Sequence, residues 1–263
     1  MEKLKLETNL RQAVLEDEIV VYYQPKLNLL TNAIDSVEAL VRWNHPTEGI
    51  LTPVDFISIA EEIGLVSQIG EVVMDKACQQ LIEWNKKGLG EIKISINLSA
   101  QQIHKGDLPE ILTSVLEKYQ LDPGLLEVEL TESMLMEDIE ETVLTLSKIR
   151  EMGITILLDD FGTGYSSLSY LKKFPIDILK IDQAFVKDID TNPDDAAIIK
   201  AIIAMGHTLD LNVIAEGVER KEHLAFLKEE GCDGAQGHLV SEPVSGVIMT
   251  ELLLREKTAA NTA

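Results

Sequence analysis

The stretch ITILLDDFGTGYSSLSYLKKFPIDILKID, residues 154–182, reads as one complete structural unit. ITILLDD (154–160) is an apolar run closed by two aspartates, 165–172 carries apolar residues at helical spacing, and IDILKID (176–182) is a second run of the first kind. Working outward, the same alternation extends in both directions. Further strand-like runs stand at IVVYYQP (19–25), IDSVEALVRW (34–43), IKISINLS (92–99), LLEVELTE (125–132), LNVIAEGV (211–218) and CDGAQG (232–237), which makes eight in all. Between them 53–65, 71–87, 108–119, 137–151, 194–209 and 220–229 repeat the helical pattern. Strand then helix, repeated along one chain, predicts a (β/α)8 barrel or an open doubly wound sheet. The two leading runs have only turn sequence between them, too short for a parallel crossover, so they pair antiparallel. The expectation is an α/β fold, a modified TIM-like barrel with an antiparallel first strand.

With 263 residues and 45% hydrophobic content, the chain is expected to form one domain around one core. Twenty-three Lys and Arg against 45 Asp and Glu leave a formal charge of −22, which works against a sequence-independent grip on DNA or RNA. Were the substrate an anionic phosphodiester, cations would have to stand between it and the acidic protein. Cys78 and Cys232 have neither metal-ligand nor redox spacing and read as ordinary buried thiols of a reducing compartment. The first eighteen residues mix charges with apolar residues at helical spacing and lack the apolar run of a signal peptide or membrane span, so a cytoplasmic segment without membrane contact is expected.

Polar residues collect at the carboxyl ends of the strand-like runs: Glu38, Asn97, Glu129, Asp159, Asp160, Lys180, Glu216 and Gln236. Barrel active sites are built at that end. Taken singly each residue has a plain reading, Glu38 as a cross-strand partner, Asn97 as a turn residue, Asp159-Asp160 as a cap, Lys180 and Glu216 as ion-pair residues. Their coincidence at equivalent positions is what points to a site. Four gathered carboxylates repel one another by roughly 4 kcal/mol per pair at about 4 Å with an effective dielectric of about 20. Cations resolve this, and an all-oxygen set favours Mg²⁺ or Mn²⁺ over Zn²⁺. Strand alternation points Asp159 and Asp160 in different directions, which would serve two neighbouring ion positions.

The ordered segments EALVRW (38–43), PVDFISIAEEIGL (53–65), NLSAQQ (97–102), ELTE (129–132), DDFGTGYSSLSYL (159–171), LKID (179–182), AEGVE (215–219) and QG with a later Pro (236–243) resemble the EAL phosphodiesterase family over about residues 8–250. The resemblance implies hydrolysis of cyclic di-GMP to linear pGpG with two divalent ions. It implies Glu38, Asn97, Glu129, Asp159 and Asp160 as ion ligands, and Lys180 and Glu216, with Glu38, as the catalytic groups. Gln24, Leu40, Arg42, Asp182, Glu219, Gln236 and Pro243 would line the substrate cleft, and Glu132 would prop the loop holding Gly162 and Gly164. A homodimer through the segment around 161–192 is implied as well, as is origin in a longer multidomain signalling protein. A degenerate member that binds cyclic di-GMP without cleaving it is the alternative, although such receptors lose ligands that this chain keeps. His238 and Glu242 replace an aromatic and a basic residue common in the family, so altered substrate affinity is expected at that edge. His45, His104, His207 and His223 are expected in structural roles.

Overall fold

The computed structural model describes residues 2–89, 91–136, 138–162 and 171–260. Eight strands form a closed barrel: β1 (Ile19–Asn28), β2 (Ile34–His45), β4 (Lys93–Asn97), β5 (Leu126–Thr131), β6 (Thr155–Phe161), β7 (Ile178–Ile181), β8 (Asn212–Ala215) and β9 (Gly234–Gln236). Two short strands, β3 (Gly49–Leu51) and β10 (Val244–Ser245), hang on the outer ends of β2 and β1. From β2 through β4 to β9 every neighbour is parallel, whereas β1 runs antiparallel to both β2 and β9. The antiparallel opening anticipated from the short turn at residues 29–33 is therefore present. Asn28 shapes that turn, its Oδ1 accepting from Leu30 N and Thr31 N at 3.0 Å each, and Asn32 supplies the left-handed residue at φ 60°.

The helices pack outside the barrel: α1 (Glu2–Leu15), α2 (Pro53–Glu62), α3 (Val66–Lys86), α4 (Ala100–His104), α5 (Leu108–Tyr119), α6 (Ile139–Glu151), α7 (Gln183–Val186), α8 (Pro193–Thr208), α9 (Lys221–Glu229) and α10 (Gly246–Ala260). Their starts follow local chemistry. Asn192 caps α8 by accepting from Asp194 N, with Pro193 and two aspartates in the first turn; Asp138 caps α6; Ser99 and Gln102 form a capping box at α4. Helix α3 begins at Val66, ahead of the predicted residue 71, and carries Gly70 inside it, where a Cβ would meet the Gln102 side chain at 2.6 Å. The expected helix at 165–172, and Gly164, fall largely or wholly outside the described residues. Helix α10 and strands β3 and β10 had no counterpart in the sequence reading.

Most of the hydrocarbon core lies between the barrel wall and the helices, from Trp43 and Phe56 through Leu81 and Trp84 to Ile199 and Val213. Inside the barrel the picture inverts. Its apolar filling is a small separate cluster of Leu157, Ile178 and Ile214, while Lys26, Ser36, Glu38, Ser95, Glu127, Glu129, Lys180 and Gln236 are buried polar groups. TIM barrels ordinarily fill this space with layers of branched hydrocarbon. Cys78 and Cys232 are buried and unpaired, and burial pushes both thiols up to about 12, which leaves them unreactive at neutral pH. Among the described residues no helix is long and apolar enough to cross a membrane.

Candidate active site

Alternation along the strands turns Glu38 on β2, Glu129 on β5, Asp159 on β6 and Lys180 on β7 into the barrel, and the parallel arrangement brings their carboxyl ends to one mouth. Lys180, with no solvent exposure, stands at the centre. Its Nζ lies 2.5 Å from Glu129 Oε2, 2.6 Å from Glu216 Oε1, 3.2 Å from Asp159 Oδ2 and 3.4 Å from Glu38 Oε2. Asn97 Nδ2 donates to Glu38 Oε1 at 2.7 Å, and Gln236 Nε2 donates to Glu38 Oε2 at 2.6 Å and to Gln24 Oε1 at 3.0 Å. Every residue anticipated as an ion ligand or water-positioning group is thus gathered at one end of the barrel.

One correction concerns the aspartate pair. Simple alternation would turn Asp160 away from Asp159, yet Asp160 takes φ 56° and the register with β7 shifts between Leu158 and Phe161. The kink keeps both carboxylates together: oxygens of Asp159, Asp160 and Glu216 lie within 4.8 Å of one another, an arrangement able to hold a metal ion. Asp160 also shares a hydrogen bond with Asp182, whose own side chain accepts from Ala184 N at 2.7 Å and so starts α7. Glu132 Oε2 accepts from Gly162 N at 3.0 Å, tying the segment after the aspartates to the turn that follows β5.

One ammonium faces four carboxylates, and burial together with their mutual charge moves their protonation away from the ordinary range. Burial pushes Glu216 up to about 8, with Asp159 and Glu38 adding to the rise against the opposing pull of Lys180. Burial likewise lifts Asp159 to about 6 despite Lys180. Glu129 goes the other way: burial would raise it, but Lys180 and Lys26 together hold it down at about 2. Carboxylates that burial drives towards taking up protons are chemically suited to divalent cations, which would offset their charge.

A cleft of about 210 Å³ opens above this cluster, lined by Gln24, Glu38, Glu216, Glu219, Gln236 and His238 among others. Gln24, Glu219 and Gln236 were anticipated there. Leu40 and Arg42 share the inward face of Glu38 further along β2 and are half-buried, with Arg42 over the Tyr22 ring at 5.6 Å. Neither they nor Asp182 nor Pro243, which directly precedes β10, belongs to the lining of this cleft. Sequence reasoning missed Lys26 and Glu127, both buried in the barrel and joined to Glu129 through Lys26. The signal was present, since Lys26 follows Gln24 and Glu127 precedes Glu129 at the two-residue spacing of a strand face. Three of the histidines keep to structural contacts: His45 Nδ1 accepts from Glu48 N, His207 pairs with Asp233, and His223 accepts from Arg220.

The EAL domain family model matches residues 7–243. The chain is similar to "Signaling protein YkoW" of Bacillus subtilis, with 47% identity over 92% of this chain and 30% of that protein. It is 43% identical to MucR of Pseudomonas aeruginosa, a "bifunctional diguanylate cyclase/cyclic di-GMP phosphodiesterase", over 92% of this chain and 36% of that protein. The chain therefore spans about a third of the length of these curated relatives. A solved structure of the PaMucR phosphodiesterase in complex with c-di-GMP superposes with a TM-score of 0.90 at 42% identity, covering 93% of this chain and 99% of that one. Sequence motifs in their expected order, a barrel opened by one antiparallel strand and a match over almost its full length make this chain a member of the EAL domain family.

Proposed function

We propose that this chain hydrolyses cyclic di-GMP to linear pGpG with the help of divalent ions, as one domain of a longer signalling protein. The observation that carries the reading is Lys180 ringed by Glu38, Glu129, Asp159 and Glu216 beneath a polar cleft. MucR, named for cyclic di-GMP phosphodiesterase activity, supports the choice of substrate.

In this reading Glu38, Asn97, Glu129, Asp159 and Asp160 hold Mg²⁺ or Mn²⁺. Two such ions would acidify water and offset the charge of the phosphodiester. Lys180 donates to Glu216 Oε1 and orients it, so that Oε2 would take the water's proton. The water oxygen bonds to phosphorus, the bond to one ribose 3′ oxygen breaks, and the proton finishes on that leaving oxygen. Gln24, Glu219 and Gln236 hold the dinucleotide from the cleft, with Leu40, Arg42, Asp182 and Pro243 on its outer rim. Glu132 steadies the backbone at Gly162. A homodimer through 161–192 belongs to the same reading, although residues 163–170 of that segment lie outside those described.

Incubation with cyclic di-GMP and Mg²⁺ or Mn²⁺, followed by chromatography, tests the proposal. Appearance of pGpG that EDTA abolishes is expected. Saturable binding without product would instead make the chain a receptor, and neither binding nor product would overturn both readings.

A further inference from the structure

Beneath the mouth the barrel carries a second buried layer of charge that the proposed chemistry does not use. Lys26 on β1 is 1% exposed and Glu127 on β5 is 2% exposed. Lys26 Nζ lies 3.1 Å from Glu127 Oε2 and 2.8 Å from Glu129 Oε1. Lys180 takes the other oxygen of Glu129, Oε2, at 2.5 Å. The carboxylate of Glu129, with no solvent exposure, is therefore gripped by two different ammonium groups, one on each oxygen. Lys93, half out in solvent, approaches Glu127 Oε1 at 3.9 Å and closes the layer from the amino end of the barrel.

Stability alone does not call for such a layer. Taking two charges out of water costs several kcal/mol each, and well-packed hydrocarbon of similar volume often serves a fold as well or better. The neighbouring interior residues Leu157, Ile178 and Ile214 show that this barrel accepts hydrocarbon at that depth. What hydrocarbon cannot do is hold one chosen oxygen of a carboxylate. We propose that Lys26, anchored by Glu127, is a positioning residue that fixes Glu129 through Oε1 and so keeps Oε2, which Lys180 contacts from the mouth side, turned towards the ion site. The inference rests on the reading of Glu129 as an ion ligand.

The test compares wild type with Lys26→Met/Glu127→Leu, which removes the buried pair together, leaving Glu129 paired with Lys180 and the half-exposed Lys93 to solvent. Mn²⁺ binding is measured by titration calorimetry on ion-free protein at a temperature where both are folded. Partners behind a metal ligand are ordinarily worth 10- to 100-fold in affinity, so the dissociation constant of the variant is expected to rise at least about tenfold. Equal affinity in a folded variant overturns this inference and leaves the ion reading intact. A wild-type protein that takes up no Mn²⁺ sinks the ion reading and this inference with it. Should the first variant not fold, Lys26→Leu/Glu127→Met repeats the measurement with the volumes exchanged, and failure of both to fold assigns the pair to stability and overturns the proposal.

Discussion

Glu129 and Glu216 share the ammonium of Lys180, yet one carboxyl falls to about 2 and the other climbs to about 8. The difference lies in the second partner: Glu129 has Lys26 on its far oxygen, whereas among the described residues Glu216 pairs with Lys180 alone and shares it with three other carboxylates. In the ion-free protein Glu129 is thus a permanent anion and Glu216 a group able to carry a proton. Glu216→Gln should therefore lose at least about a hundredfold in turnover while its circular dichroism and unfolding midpoint stay close to wild type. Lys180→Ala should lose as much, and in ion-free buffer it should also melt earlier, because four carboxylates are then left without their shared ammonium. Normal turnover in either variant would remove that residue from the mechanism. These positions were legible because each closes an apolar run, where a charge is conspicuous. Lys26 and Glu127 were not, since a charged residue inside a strand pattern ordinarily faces water; only the register of β1 against β9 and of β5 against β4 turns them inward.

At the scale of elements, the start of α9 is built on a proton-sensitive contact. Arg220 Nε donates to His223 Nε2 at 2.7 Å and its guanidinium bonds Asp190 and the Lys187 carbonyl, so the buried imidazole must be neutral to accept. Burial, seconded by Arg220, lowers the His223 pKa against the weaker pull of Asp190. A histidine depressed in the folded state binds fewer protons than the unfolded chain, so its contribution is present above the ordinary value of about 6.5 and is lost as pH falls below it. Urea midpoints should drop more steeply from pH 7.5 to 5.5 in wild type than in His223→Gln; equal slopes would show that this contact does not carry the effect. Element boundaries were readable where capping chemistry marks them, as at Asn192-Pro193 and Thr52-Pro53. They were misread at Gly70, where close packing of Gln102 keeps a glycine inside a helix, and α10 passed unseen although Met249 and Leu253 give it a buried stripe.

For the whole molecule, whose formal charge is −22, ions held at the mouth as proposed would become a term in stability. An ion present at a hundredfold its dissociation constant adds about 2.7 kcal/mol, which for a chain of this size raises the melting temperature by roughly 5–10 °C. Differential scanning calorimetry with Mn²⁺ and then with excess EDTA should trace that rise and its reversal; an unchanged melting temperature would argue against a folded-state ion site. The eight barrel strands and the antiparallel opening could be read from spacing alone. The polar filling of the barrel could not, because it depends on which of two faces each strand turns inward.

The antiparallel first strand has one more effect. Its hold on β2 extends over nine residue pairs, but it meets β9 through three, and β9 meets β8 through two. The cylinder thus has a seam, and it runs beside Gln24, Lys26 and Gln236 rather than through the distant wall. Amide protons along β9 should exchange with deuterium sooner than those of the long hairpin, and any breathing of the wall would unzip first where the cleft residues are seated.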